Sequence, residues 1–269
     1  MVLLNGINTQ QIEIADRGLQ YGDGCFTTAL LIDGKPQYWP SHQARLENAV
    51  KALAIPFQEW KDLNDWVKKA CADIQEEKAV LKVMITRGSG GRGYSPKGCS
   101  KPNVLITSST FPQHYEIWAK KGIQLAVLRS RLGHSPLAGI KHLNRLEQVI
   151  AKAELDELNV EDGIVCDMQG AMVETTASNL FWRVKNTLFT PRLSCAGVEG
   201  IMKMHITKCA KECGYEINEV EAEPSVLEHA DEVFITNTLM GIIPVNQCDS
   251  YTFTSREALE LIGKRLKAC

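Results

Sequence analysis

Hydrophobic and polar positions change their rhythm several times along the chain, and the changes mark the elements. In the first forty residues the apolar blocks are short and broken by turn residues. Stretches 29–32 and 37–39 flank Asp33-Gly34-Lys35-Pro36, which predicts a β-hairpin. Ser41 then stands as an N-cap for a helix over 42–53, with Leu46, Ala49, Val50 and Leu53 on one face. A second helix is predicted over 59–75 from the spacing of Leu63, Trp66, Val67, Ala70 and Ile74. Residues 79–86, 104–108 and 123–128 read as strands. The polar stretch 113–121 reads as a linker between a domain at 1–112 and a domain at 122–269. In the second half a helix is predicted over 143–158, then two or three strands between 163 and 190. A helix over 200–213 is stopped by Gly214, and strands follow near 215–221 and 232–236. The last helix opens at Thr254-Ser255-Arg256-Glu257, a capping-box pattern. Strand clusters and helices occur in both halves without a regular βαβ alternation, so the fold class is α+β.

Composition narrows the partners. The chain has 269 residues with 30 basic and 32 acidic side chains, a formal charge of −2. That balance supplies no field for nucleic acid or an anionic membrane surface, and no apolar run is long enough to span a bilayer. The N-terminus has no basic, then apolar, leader pattern, and the nine cysteines are scattered with no CxxC pair. Buried free thiols, a cytoplasmic location and no metal are expected.

Five features can carry chemistry. Lys141, in Gly139-Ile140-Lys141-His142-Leu143, ends an apolar approach to a helix. An amine held at such a junction can lose its proton near neutral pH and form a Schiff base with a carbonyl. Gly197-Val198-Glu199-Gly200-Ile201-Met202 precedes a helix, where free N–H groups and the helix dipole favour phosphate. Arg45 is suited to a forked grip on phosphate. Glu174, in Val173-Glu174-Thr175-Thr176, can keep a pyridine nitrogen protonated, while Asn179 reads as a local backbone-bonding residue. In the glycine-rich run 86–94, Arg92 and Tyr94 can hold a carboxylate. Taken singly, each has an ordinary structural reading.

Taken together and in order, these segments resemble fold-type IV pyridoxal-phosphate enzymes, from Asn5-Gly6 to Met240-Gly241-Ile242-Ile243-Pro244-Val245. That family includes branched-chain and D-amino-acid aminotransferases and aminodeoxychorismate lyases. Three runs are most similar to the lyase branch: Gly-Asp-Gly-Cys-Phe-Thr-Thr at 22–28, Arg-Gly-Ser-Gly-Gly-Arg-Gly-Tyr at 87–94 and Lys-His-Leu-Asn-Arg-Leu-Glu-Gln at 141–148. Where aminotransferases carry Glu after the Phe, this chain has Thr27, expected to remove a charge from the cleft.

The resemblance implies a two-domain fold like that of D-amino-acid aminotransferase, with pyridoxal 5'-phosphate in the cleft between the domains. It implies Lys141 as cofactor anchor and then base, and Glu174 at the ring nitrogen. Arg45, Gly200, Ile201, Met202 and Thr238 would serve the phosphate. Thr28 is implied as an alternative to Lys141 for giving a proton to the departing enolpyruvyl group. Arg92, Tyr94 and Asn237 are implied in substrate binding, and His142 is read as structural. The implied reaction converts 4-amino-4-deoxychorismate to 4-aminobenzoate and pyruvate, a step toward folate, in a homodimer. Amino transfer on D- or branched-chain amino acids is the alternative.

Overall fold

The computed structural model describes residues 1–267. The chain divides into two compact units, one of residues 1–111 with 140–144 and one of 112–139 with 145–269. The short segment around Lys141 therefore belongs to the first unit, although the second surrounds it in sequence.

The first unit contains β1 (Val2–Leu4), β2 (Ile7–Asn8), α1 (Arg17–Tyr21), β3 (Gly24–Ile32), β4 (Lys35–Pro36), α2 (Trp39–Ala52), α3 (Trp60–Ala72), β5 (Lys78–Thr86) and β6 (Asn103–Thr110). Its six strands run β2-β1-β6-β5-β3-β4, every pairing antiparallel. Along β3 the side chains alternate. Cys25, Thr27, Ala29 and Leu31 are fully buried, while Phe26, Thr28, Leu30 and Ile32 are half-buried. The buried row joins Leu46 and Ala49 of α2 and Leu63 and Val67 of α3 in one core. The predicted hairpin is tighter than expected: Asp33 and Gly34, with φ of 47° and 69°, form a two-residue turn that pairs Ile32 with Lys35. Helix α2 also starts early. Tyr38, not Ser41, is its N-cap, and Pro40 in the first turn needs no helical N–H there.

The second unit contains α4 (His114–Lys121), β7 (Ile123–Leu132), α5 (Leu146–Leu155), β8 (Asp162–Asp167), β9 (Met172–Thr175), β10 (Asn179–Val184), β11 (Thr187–Pro191), α6 (Ile201–Glu212), β12 (Glu216–Val220), β13 (Glu232–Asn237), β14 (Gly241–Cys248), β15 (Tyr251–Thr252) and α7 (Glu257–Lys267), with a 3₁₀ turn at Pro224–His229. Residues 114–121, read as linker from their polarity, form the helix α4. Four strands, rather than two or three, fill 162–191. The nine-stranded sheet runs β12-β11-β10-β13-β14-β7-β8-β9, with β15 on β14. Its central strands are buried on both faces: Leu180, Trp182, Val233 and Ile235 join one core, while Phe181 and Phe234 join another with α6 and α7. Such strands read as apolar runs without alternation.

Two local features depend on partners distant in sequence. Strand β14 carries Pro244 inside it. Its pairing with β7 begins only at Val245, which leaves the proline outside the rungs on that side. The start of α7 is capped from a distance: Glu232 of β13 accepts the Ala258 and Leu259 N–H groups at 3.0 and 2.8 Å, whereas Ser255 Oγ meets only the Glu257 N–H at 3.5 Å.

Candidate active site

In the first unit, Lys141 is held by the backbone of β3. The Phe26 N–H donates to the Lys141 carbonyl at 3.0 Å, and the Leu143 N–H donates to the Gly24 carbonyl at 2.9 Å, with His142 opposite Cys25 between them. This isolated bridge fixes the loop that carries Lys141 against β3. Its Nζ lies 4.7 Å from the centroid of the Phe26 ring. A second ammonium, Lys82 Nζ, lies 4.9 Å from the same centroid. Lys82 is paired across β5 with Thr28, so Phe26, Thr28, Lys82 and Lys141 form one group on the half-buried side of the sheet. Sequence reasoning missed Lys82 and Phe26. The signal was available: a lysine inside the apolar strand run Ala79-Val80-Leu81-Lys82-Val83-Met84 needs a reason to be there.

Thr27 corrects the expectation built on it. Its side chain is fully buried on the opposite face of β3 and shares a 2.6 Å hydrogen bond with Nδ1 of His42 on α2. The period-two alternation of a strand sends adjacent residues to opposite faces. A change of residue at 27 therefore alters the core beneath α2 and not the charge around Lys141. Arg45, one turn from His42, is half-buried on the flank of the same helix. Arg87 has a structural role: it donates to Asp23 (2.7 Å) and to the carbonyls of Ala54 (2.8 Å) and Leu53 (2.6 Å). Arg92 and Tyr94 lie on an exposed loop, Tyr94 with 87% of its surface open and its ring edge-on to Tyr21.

In the second unit, Glu174 and the approach to α6 are joined through one backbone residue. The Val198 N–H donates to Glu174 Oε2 at 2.9 Å, and the Val198 carbonyl accepts from Asn179 Nδ2 at 2.9 Å. Asn179 thus bonds backbone in a separate loop, not the turn around itself. Gln148 Nε2 reaches Glu174 Oε1 at 3.5 Å, and Glu174 also attracts the Arg145 guanidinium, whose pKa burial lowers against that pull. Glu174 is 6% exposed, and these donors converge on its carboxyl group away from water. The loop then reaches Gly200, the N-cap of α6. A side chain there would drive its Cβ into Asn179 Oδ1, and glycine also leaves the first turn without a capping side chain. The N–H groups of Ile201 and Met202 are the first in the helix.

The β13–β14 turn holds Thr238, which is half-buried. Its neighbour Asn237 turns inward: Oδ1 accepts the N–H groups of Leu239 (2.9 Å) and Met240 (3.0 Å), while Nδ2 donates to Ala177 O and Ser178 Oγ, both at 3.3 Å. The Asn237 amide shapes the turn that carries Thr238.

The profile of the amino-transferase class IV family matches residues 24–248. Aminodeoxychorismate lyase of Vibrio harveyi is 40% identical over 247 residues, 91% of this chain and 90% of that protein. A putative branched-chain-amino-acid aminotransferase of Methanocaldococcus jannaschii is 31% identical, covering 96% of this chain and 89% of that one. The crystal structure of 4-amino-4-deoxychorismate lyase from Pseudomonas aeruginosa superimposes with a TM-score of 0.92 at 34% identity, covering 98% of this chain and 97% of that one. The family match spans most of the chain, two curated relatives exceed 30% identity over nine-tenths of it, and the chain belongs to the amino-transferase class IV family.

Proposed function

We propose that the protein is a pyridoxal-phosphate-dependent aminodeoxychorismate lyase that converts 4-amino-4-deoxychorismate to 4-aminobenzoate and pyruvate. The observation that carries the choice is the likeness along nearly the whole chain to two lyases, at 40% and 34% identity. Two features of the second unit fit the cofactor: a buried carboxyl group at Glu174, suited to a protonated ring nitrogen, and a helix start with a glycine cap, suited to a phosphate.

When bound, pyridoxal phosphate supplies an aldehyde carbon for the substrate amine and a ring that accepts an electron pair. Glu174 would keep the ring nitrogen protonated. Ile201 and Met202 N–H groups, with Arg45 and Thr238, would hold the phosphate. Lys141 would anchor the cofactor, and its amine, when free, would take the proton from the substrate carbon bearing nitrogen. The enolpyruvyl C–O bond breaks as the six-membered ring becomes aromatic, and the enolpyruvyl group takes up a proton to leave as pyruvate. Lys141 would return that proton, or Thr28 Oγ would donate one, since Thr28 shares the half-buried side of β3 with Phe26, whose ring Lys141 faces. Lys82 and Arg92 offer positive charge to the two carboxylates of the substrate, with Tyr94 beside the second. Asn237 serves the substrate side by holding its turn.

A homodimer is part of this proposal. Leu146, Val149 and Ile150 on α5 are 71%, 59% and 56% exposed, an i, i+3, i+4 apolar stripe of the kind that a second copy covers. The described cysteines are free thiols, which supports a cytoplasmic setting. Among the described residues no helix is long and apolar enough to cross a membrane. Loading with the cofactor tests the site directly. Purified protein mixed with pyridoxal phosphate is expected to gain a visible absorption band that Lys141→Ala abolishes. A band of equal strength in the variant would remove Lys141 from its role.

A further inference from the structure

The loop that carries Arg92 has little of its own to hold it in shape. Between β5 and β6, glycines 88, 90, 91, 93 and 98 all have positive φ, and residues 90–98 are exposed. Such a sequence has many backbone shapes open to it, and fixing one costs conformational entropy. One buried side chain from α1 opposes that freedom.

Arg17 is 4% exposed. Its guanidinium donates from Nη1 to the Gly93 carbonyl (2.9 Å) and the Ser95 carbonyl (3.5 Å), and from Nη2 to the Tyr94 carbonyl (3.1 Å). Nε donates to Asp23 Oδ2 at 2.9 Å, and Arg87 Nε shares that oxygen at 2.7 Å. The Arg17 backbone N–H holds the start of the loop as well, at the Gly88 carbonyl (3.0 Å). The planar group also lies 4.8 Å from the Tyr21 ring centroid, and that ring meets Tyr94 edge-on. Three successive carbonyls directly after Arg92 thus converge on one fork of donors, a geometry that an ammonium cannot copy. Gly91 makes room for it: a Cβ there would run into the Ser95 carbonyl and stand 3.2 Å from Arg17 Nη1.

We propose that Arg17 is the positioning residue that presets the 88–95 loop, and through it the grip of Arg92 and Tyr94 on a substrate carboxylate. This rests on the lyase reading for the identity of the substrate, not for the clamp itself. A preset loop has its ordering cost met in the folded enzyme, so its loss falls on substrate binding more than on the chemical step. Neither Arg17 nor Gly91 touches the reacting atoms.

The test uses the cofactor-loaded wild type, Arg17→Lys, which keeps a positive charge beside Asp23, and Gly91→Ala, which leaves Arg17 in place. Trypsin cleavage after Arg92 and Lys97 is timed, and KM and kcat are measured with 4-amino-4-deoxychorismate. In both variants cleavage is expected to quicken about tenfold, and KM to rise about tenfold with kcat within about threefold of wild type. Wild-type cleavage rates in both variants would overturn the clamp. So would faster cleavage with an unchanged KM, or a fall in kcat alone. If Arg17→Lys does not fold, Gly91→Ala decides by the same readings. If the wild type forms no 4-aminobenzoate, the lyase reading fails, and the clamp stands or falls on the cleavage rates.

Discussion

Glu174 is the residue on which the electronic side of the proposed chemistry depends. It accepts the Val198 N–H, lies in reach of the Arg145 charge and is almost fully buried. Glu174→Gln keeps an oxygen acceptor for the Val198 N–H but removes the negative charge. The expected result is a fall in kcat of about 10²-fold or more with thermal stability little changed, read by steady-state kinetics and a melting curve. A variant with wild-type kcat would remove Glu174 from the mechanism. At this scale the sequence was readable through the order of its motifs: Lys141 and Glu174 each have an ordinary structural reading alone, and only their succession along the chain pointed to the family that the match over 24–248 shows. It was unreadable where the face of a strand decides. Thr27 and Thr28 are adjacent in sequence, yet one is bonded to His42 in the core and the other shares the Lys82 face. No property of a threonine distinguishes them until the phase of β3 is known.

At the scale of elements, β3 and its flanks are tied by a buried charge cluster. Burial alone would raise the Asp23 pKa, but the Arg87 and Arg17 hydrogen bonds outweigh it and hold the carboxyl below its usual value. A carboxyl with a depressed folded pKa stabilises the fold above its unfolded pKa of about 3.9, and that stabilisation is lost as pH falls through the folded value. Asp23→Asn leaves two buried guanidinium groups facing an amide and is expected to cost about 3–5 kcal/mol at pH 7. The gap from wild type should narrow below about pH 4, as urea titrations across pH would show. A gap that stays constant down to pH 2 would contradict the assignment. Most helices and strands were visible from periodicity, because an amphipathic helix such as α3 writes its core face into the sequence. The failures have a common cause. The polar helix α4, the proline-containing β14 and the Glu232 cap of α7 all depend on partners distant in sequence, which a local pattern cannot register.

For the whole molecule, the passage of 140–144 into the first unit was not legible. A single boundary in sequence cannot describe a chain that leaves one unit for five residues and returns. Assembly is the second property at this scale. Val149→Glu places a charge in the exposed stripe of α5, and light scattering is expected to report a dimer for wild type and a monomer for the variant. A monomeric wild type would withdraw the homodimer. Purified protein loaded with pyridoxal phosphate is incubated with 4-amino-4-deoxychorismate, and 4-aminobenzoate and pyruvate are quantified over time. Equal amounts of the two products are predicted, with no amino acceptor required. No 4-aminobenzoate, together with rapid amino transfer from D-alanine or leucine to 2-oxoglutarate, would contradict the account and make the protein an aminotransferase.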